Sequence, residues 1–214
     1  MSLELYVKAG KDGNSLGDCP FSHRIQMILQ LKGLDYQLIP INMQIKPREF
    51  LDMSPSGKVP VLIHGERLLD DATAIADYLE ITFPEPKLRA DTPQAEKGGI
   101  DIFQKFTAFL KNRDPNKQEQ LARALKDELQ KLDSFLASSP GMFIDGDELK
   151  LPDCNILPKL YHIKVAARHY KKFEMPEEFP SLKRYLDEGF ETEAFQKTKC
   201  DDEEIIYGWS KHFQ

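Results

Sequence analysis

Cys19 stands directly before Pro20, after a strand-like run and a loop carrying Gly10, Gly13 and Gly17. Proline suits the first turn of a helix, where its missing N–H has no intrahelical partner to lose. A cysteine at that junction faces the unpaired N–H groups and the positive end of the helix, which favour an anion. The expected consequence is a lowered thiol pKa and a thiolate available near neutral pH. Three residues on stands Ser22 rather than a second cysteine. A mixed disulfide on Cys19 then has no neighbouring thiol to resolve it, so the chemistry calls for a small external thiol. Cys154, at a helix start, and Cys200, beside an acidic run, read as structural or incidental.

Asp18 works against this arrangement, because an adjacent carboxylate raises a thiol pKa. Lys8, at the end of the first strand, offsets it if that strand end points at the helix start. Asp18 then either binds a polar substrate or passes a proton, or it simply caps the loop. Val59-Pro60 opens an apolar run, and proline in such a run belongs at an edge or bend. With a cis bond the Val59 N–H and C=O turn outward toward an extended peptide; the alternative is a plain edge proline. Asp70-Asp71 precede a helix at Ala72 and can cap it or hold a ligand ammonium. Asp153 reads as a structural first-turn acid. His162 lies on a helix where it either packs or faces a cleft. His23, His64, His169 and His212 lack metal-ligand spacing among themselves or with Cys19, and neither a phosphate loop nor a dinucleotide fingerprint is present.

The elements that must position these residues fall into two groups. Leu3, Leu5 and Val7 share one face of a first strand, and Phe21, Ile25, Ile28 and Leu29 follow at helical spacing up to Gly33. Tyr36–Ile41 reads as a strand, Pro47–Met53 as a short helix, Val59–Ile63 as a buried strand, and His64-Gly65-Glu66 as a turn into Arg67-Leu68-Leu69. Ala72–Thr82 reads as a helix. Residues 1–83 therefore predict an α/β thioredoxin-like unit, 84–94 a proline-bearing linker, and 95–214 an all-helical unit. In the last, Ile100, Phe103, Phe106 and Leu110 form one stripe. A long helix over Asn116–Ser138 carries Leu121, Leu125, Leu129, Leu132 and Leu136, and another from Pro152 carries Ile156, Leu160, Ile163 and Ala167. Shorter helices are expected over Ser181–Glu188 and Glu191–Thr198, and Asp201–Glu204 reads as a solvated acidic run.

The 214 residues are 41% hydrophobic and 30% charged, a globular composition that excludes disorder and a disulfide scaffold. Net charge is -6, from 29 Lys+Arg against 35 Asp+Glu, which argues against nucleic-acid binding by phosphate neutralisation. Three cysteines fit a reducing compartment. The amino terminus lacks a secretory pattern, and no run approaches the ~18 apolar residues of a spanning helix. A cytoplasmic location is expected, or an organelle if a presequence has been removed.

Taken together these residues resemble the cytosolic glutathione transferase superfamily, and within it the glutathione-dependent dehydroascorbate reductases of plants and algae. The resemblance is carried by Leu16-Gly17-Asp18-Cys19-Pro20-Phe21-Ser22, Ser54–Val61, Pro84-Glu85-Pro86, Phe109-Leu110-Lys111, Asp114-Pro115-Asn116, Pro158–His162 and Gly208-Trp209. It implies reduction of dehydroascorbate to ascorbate by a monomer, with glutathione as cosubstrate, no resident cofactor and no metal. Cys19 would be catalytic. Lys8, Asp18, His162 and Trp209 would contact the substrate. Phe21, Lys46, Lys58, Val59, Pro60, Asp71 and Ala72 would hold glutathione with Cys19. One departure stands out: the family's Asp-Ser pair is Asp71-Ala72 here. Losing that charge-assisted bond to the γ-glutamyl carboxylate costs ~1.5–3 kcal/mol.

Two further resemblances are weighed beside it. Cys-Pro-Phe-Ser, Lys8-Ala9-Gly10 and Asp201–Ile205 are similar to the chloride intracellular channel family. The segment that would insert, Cys19–Ile41, carries Arg24, Lys32 and Asp35, each costing on the order of 2.5–3.5 kcal/mol at a bilayer centre. No membrane partner is therefore expected. The omega-class transferases suggest a broader thiol transferase.

Overall fold

The computed structural model describes residues 2–213. Period-2 alternation in Leu3–Lys8 makes β1, whose Leu3, Leu5 and Val7 are buried while the residues between them are not. β1 runs parallel to β2 (Tyr36–Ile41) and antiparallel to β3 (Val61–His64), and β4 (Arg67–Leu69) closes the sheet in the order β2-β1-β3-β4. Between β1 and β2 lies α1 (Pro20–Leu31), between β2 and β3 the short α2 (Arg48–Met53), and after β4 comes α3 (Ala72–Thr82). β3 begins at Val61 rather than Val59, because β1 supplies partners only as far as Tyr6↔Val61.

The helical half starts with α4 (Pro93–Glu96) and α5 (Ile102–Lys111), followed by α6 (Pro115–Ala137). Ile100 falls outside the α5 stripe and is exposed, whereas Phe106, Phe109 and Leu110 are buried. α7 (Leu151–His162) passes through a π turn (Ile163–Ala167) into α8 (Arg168–Lys171). α9 (Pro180–Glu191) and α10 (Glu193–Gln196) lie where shorter helices were expected. The acidic run faces solvent over Asp201–Glu203 as expected, but it is no loose tail: Asp202, Glu203 and Glu204 form the first turn of α11 (Asp202–Ser210), where negative charge complements the helix dipole.

One apolar cluster runs through both halves, joining Leu5, Ile25 and Ile75 to Phe106, Leu160 and Ile205. α1 is the hinge of this packing, lying against α3 on one side and α7 on the other. The segment between the halves is tied down from beneath. Lys32, its side chain fully buried, pairs with Glu80 at 2.7 Å and donates to the Phe83 and Pro86 carbonyls. Glu80 accepts from the Leu88 and Arg89 N–H groups. Removing either partner would strand a buried charge.

Candidate active site

The loop leaving β1 folds back on itself. Gly10 N–H bonds the Ser15 carbonyl and Gly17 N–H the Lys8 carbonyl, each at 2.8 Å. Gly17 is required there, because a side chain would collide with the Ala9 main chain. This return brings Asp18 beside the end of β1, where its carboxylate meets the Lys8 ammonium at 2.5 Å. Asp18 is buried and does not cap α1.

Cys19 is the N-cap. Its extended backbone (φ -75, ψ 110) turns Sγ onto the Ser22 N–H at 3.4 Å, and Pro20 occupies the first helical position. The residue as a whole is half-buried. Its pKa corrects the sequence expectation. Burial pushes it up and is the largest effect, the nearby Ser22 side chain and the Ser22 and Phe21 N–H groups pull it down, and Asp18 adds to the rise. The balance lies above the ordinary thiol value: the helix tip does stabilise the thiolate, but desolvation outweighs it. Cys154 and Cys200 are also free thiols; both are buried, and burial pushes Cys200 up to about 12.

The helical half meets this loop at Asp18, from α7 and α11. His162 is buried, and its Nδ1 accepts the Trp209 Nε1–H at 3.0 Å. Burial and then the Lys8 charge hold the ring neutral, with a pKa of about 3, against a smaller opposing effect of the Asp18 main chain. A nitrogen accepting from an indole must be unprotonated, in agreement. Lys8, Asp18, Cys19, His162 and Trp209, assigned to one site from separate parts of the sequence, thus converge. Gly208 completes the closure, since any side chain there would fall on the Asp18 carboxylate. Sequence reasoning missed Gly208's role; the available signal was a glycine inside a helix, where it costs stability unless something must come close. Glu204 reinforces the contact by accepting the Lys11 N–H at 2.9 Å.

Phe21 is 41% exposed and packs edge-on to Phe103 of α5. The Lys159 ammonium stands 5.7 Å from its ring centre, and burial followed by Arg24 brings Lys159 down to about 8. On the sheet side, the Val59–Pro60 bond is cis and precedes β3, so Val59 lies beyond the paired strand. Lys46 lies against Gly57 next to it, while Lys58 is exposed and its N–H donates to Ser56 Oγ. Asp71 caps α3, accepting from the Thr73 and Ala74 N–H groups at 2.9 Å each through one oxygen. Arg24 links α1 to this tip through Thr73 Oγ1 at 3.5 Å. The start of α3 thus lies beside α1, five residues along that helix from Cys19.

The crystal structure of dehydroascorbate reductase from Chlamydomonas reinhardtii superposes on this chain with a TM-score of 0.89 at 33% identity, covering 99% of both chains. The chain belongs to the dehydroascorbate reductase family. Its fold is that of the glutathione transferases, a thioredoxin-like unit followed by a helical one. The CLIC-like N-terminal domain family matches residues 1–86. Two more distant structures share the fold. Glutathione transferase Omega 3C from Trametes versicolor has a TM-score of 0.79 at 21% identity over 94% of this chain and 90% of its own. The CLIC homologue EXC-4 from C. elegans has 0.86 at 22%, over 99% and 82%. Among the described residues no helix is long and apolar enough to cross a membrane.

Proposed function

We propose that the protein reduces dehydroascorbate to ascorbate with two molecules of glutathione, through Cys19. The observation that carries this reading is the lone thiol at the tip of α1: Sγ accepts from the Ser22 N–H, and Ser22 stands where a dithiol enzyme has its second cysteine. The Cys19 thiolate adds to a carbonyl carbon of dehydroascorbate. A glutathione thiolate then attacks Sγ, the S–C bond breaks, and its electron pair leaves on the ascorbate skeleton, which takes up protons. This leaves Cys19 in a mixed disulfide with glutathione. A second glutathione thiolate breaks that disulfide, releasing glutathione disulfide and the Cys19 thiolate, so two electrons pass from two thiols to one substrate.

In this reading Lys8 and Asp18 hold the substrate's polar edge, and His162 and Trp209 wall the pocket. Glutathione lies along Val59, paired to its main chain, with its γ-glutamyl end at the tip of α3 and its glycyl end toward Lys46. Phe21, Lys58 and Pro60 border that track. The test is a coupled assay with glutathione and dehydroascorbate on the wild type and Cys19→Ser. Turnover is expected to fall by about 10³-fold or more, as on loss of a covalent nucleophile. Retention of turnover in the variant would overturn the reading. The same thiol would also serve a broader transferase, and comparing turnover of a glutathione mixed disulfide with that of dehydroascorbate ranks the two.

A further inference from the structure

A groove of about 480 Å³ lies on the helical half, and its lining includes none of the residues gathered around Cys19. Lys164 of the π turn, Arg168 of α8 and Lys172, the left-handed residue that ends α8, line one side. Eight residues of near-helical rise spread them over a stripe of about 12 Å along that side. Lys199 faces them from the segment before α11. Against these four stand two carboxylates, Glu191 and Asp202, and Asp202 already accepts the Tyr161 hydroxyl.

The cations are not neutralised within the fold. Among the described residues only Arg168 has an ion-pair partner, Glu174, and both side chains of that pair are about two-thirds exposed, at 69% and 67%, where such pairs hold weakly. Lys164 sits over the Phe190 ring at 5.1 Å and Lys199 over the Tyr161 ring at 5.7 Å. Aromatic faces hold an ammonium in place without cancelling its charge. This gathering of positive charge runs against a chain whose net charge is -6. A concave, partly apolar wall focuses such a field onto small anions. The volume suits a small molecule, and the π turn on the wall is a feature common at functional sites. A stripe this long calls for more than one anionic group, and phosphate brings nearly two charges and several acceptor oxygens per group.

We infer that this groove binds a small organic polyanion bearing phosphate groups, with its charges along Lys164, Arg168, Lys172 and Lys199 and its carbon frame against Phe190. A free metabolite and a lipid headgroup both offer such phosphate, and the recognising chemistry is the same. Calorimetry on the full chain, with ATP and inorganic pyrophosphate as free probes and vesicles with or without phosphatidylinositol bisphosphate, separates the sources. Saturable binding to either class is expected, weakened by added salt. The Lys164→Glu/Lys199→Glu double variant should weaken it by about tenfold or more, with reductase turnover unchanged. Glu191→Lys, which removes an opposing carboxylate, should tighten it and keeps the test decisive if the double variant misfolds. The inference fails if no probe saturates by about 1 mM, if charge reversal leaves affinity unchanged, or if glutathione displaces the probe.

Discussion

The Lys8 ammonium closes on the Asp18 carboxylate at 2.5 Å, one residue before Cys19. The Asp18 side chain is 9% exposed and that of Lys8 29%, so solvent screens the pair only in part. Burial and Asp18 both push the Cys19 thiol up. Lys8 therefore offsets the one nearby charge that opposes the thiolate, and the pair keeps a substrate-sized polar group beside the sulfur at little electrostatic cost to it.

Alkylation of Cys19 by iodoacetamide as a function of pH reads this balance. In the wild type the midpoint should lie above the ~8.5 of a free thiol. Asp18→Asn should lower the midpoint and Lys8→Ala should raise it, with turnover of dehydroascorbate falling in both. A midpoint below the free-thiol value in the wild type would show that the helix tip outweighs burial.

Gly208 inverts an ordinary helix rule. Replacing a helical glycine by alanine usually stabilises by about 1 kcal/mol, but here the new methyl group falls on the Asp18 carboxylate. Gly208→Ala should instead destabilise by about 1–3 kcal/mol, as overpacking does, and should lower turnover by shifting Asp18. Thermal unfolding decides the sign: a raised midpoint would mean that α11 does not press on the catalytic loop.

Acid should unfold the protein through its buried histidines. Burial is the main cause that brings both His23 and His162 from 6.5 to about 3. The unfolded chain binds a proton at each below 6.5 while the native chain does not until about 3. Each therefore removes stability as pH falls through that window, at about 1.4 kcal/mol per pH unit. Asp153 has the opposite sign, because burial raises it from 3.8 to about 6 and the native state takes up its proton first. Between pH 6 and 4 these groups leave a net one-proton slope, about 1.4 kcal/mol per pH unit. Urea unfolding across that range should show it, and His23→Leu should flatten it; an equal slope in the variant would assign the acid sensitivity elsewhere.

The Cys19 site was legible where its determinants are local. A proline at the first helical position and a cap before it are properties of neighbouring residues, and the α1 tip formed as read. What depends on contacts across the chain was not. The helix tip does meet Sγ through the Ser22 N–H, yet the direction of the thiol pKa turns on burial, which no short window of sequence reports. Asp201–Glu204 reads from its own residues as a solvated run, and the structure makes that exposed run a helix start as well. The helix start shows in Glu204 reaching the Lys11 N–H, 193 residues away. The Lys32–Glu80 pair that fastens the linker and the collision that requires glycine at 208 have the same long-range character.

Ala72 gives the last test. Asp71 Oδ1 already satisfies the Thr73 and Ala74 N–H groups, and the Ile75 N–H goes to the Asp71 carbonyl. What remains at the tip of α3 for a γ-glutamyl carboxylate is the Ala72 N–H, the second Asp71 oxygen for the ammonium, and the helix dipole. A hydroxyl at position 72 would add one charge-assisted bond, about 1.5 kcal/mol or more. Ala72→Ser should therefore lower the KM for glutathione by about tenfold. The KM for dehydroascorbate and the alkylation profile of Cys19 should stay as they are, because neither touches α3. If the glutathione KM does not change, its γ-glutamyl end lies elsewhere, and the Arg24–Thr73 contact beside this tip is the next place to look.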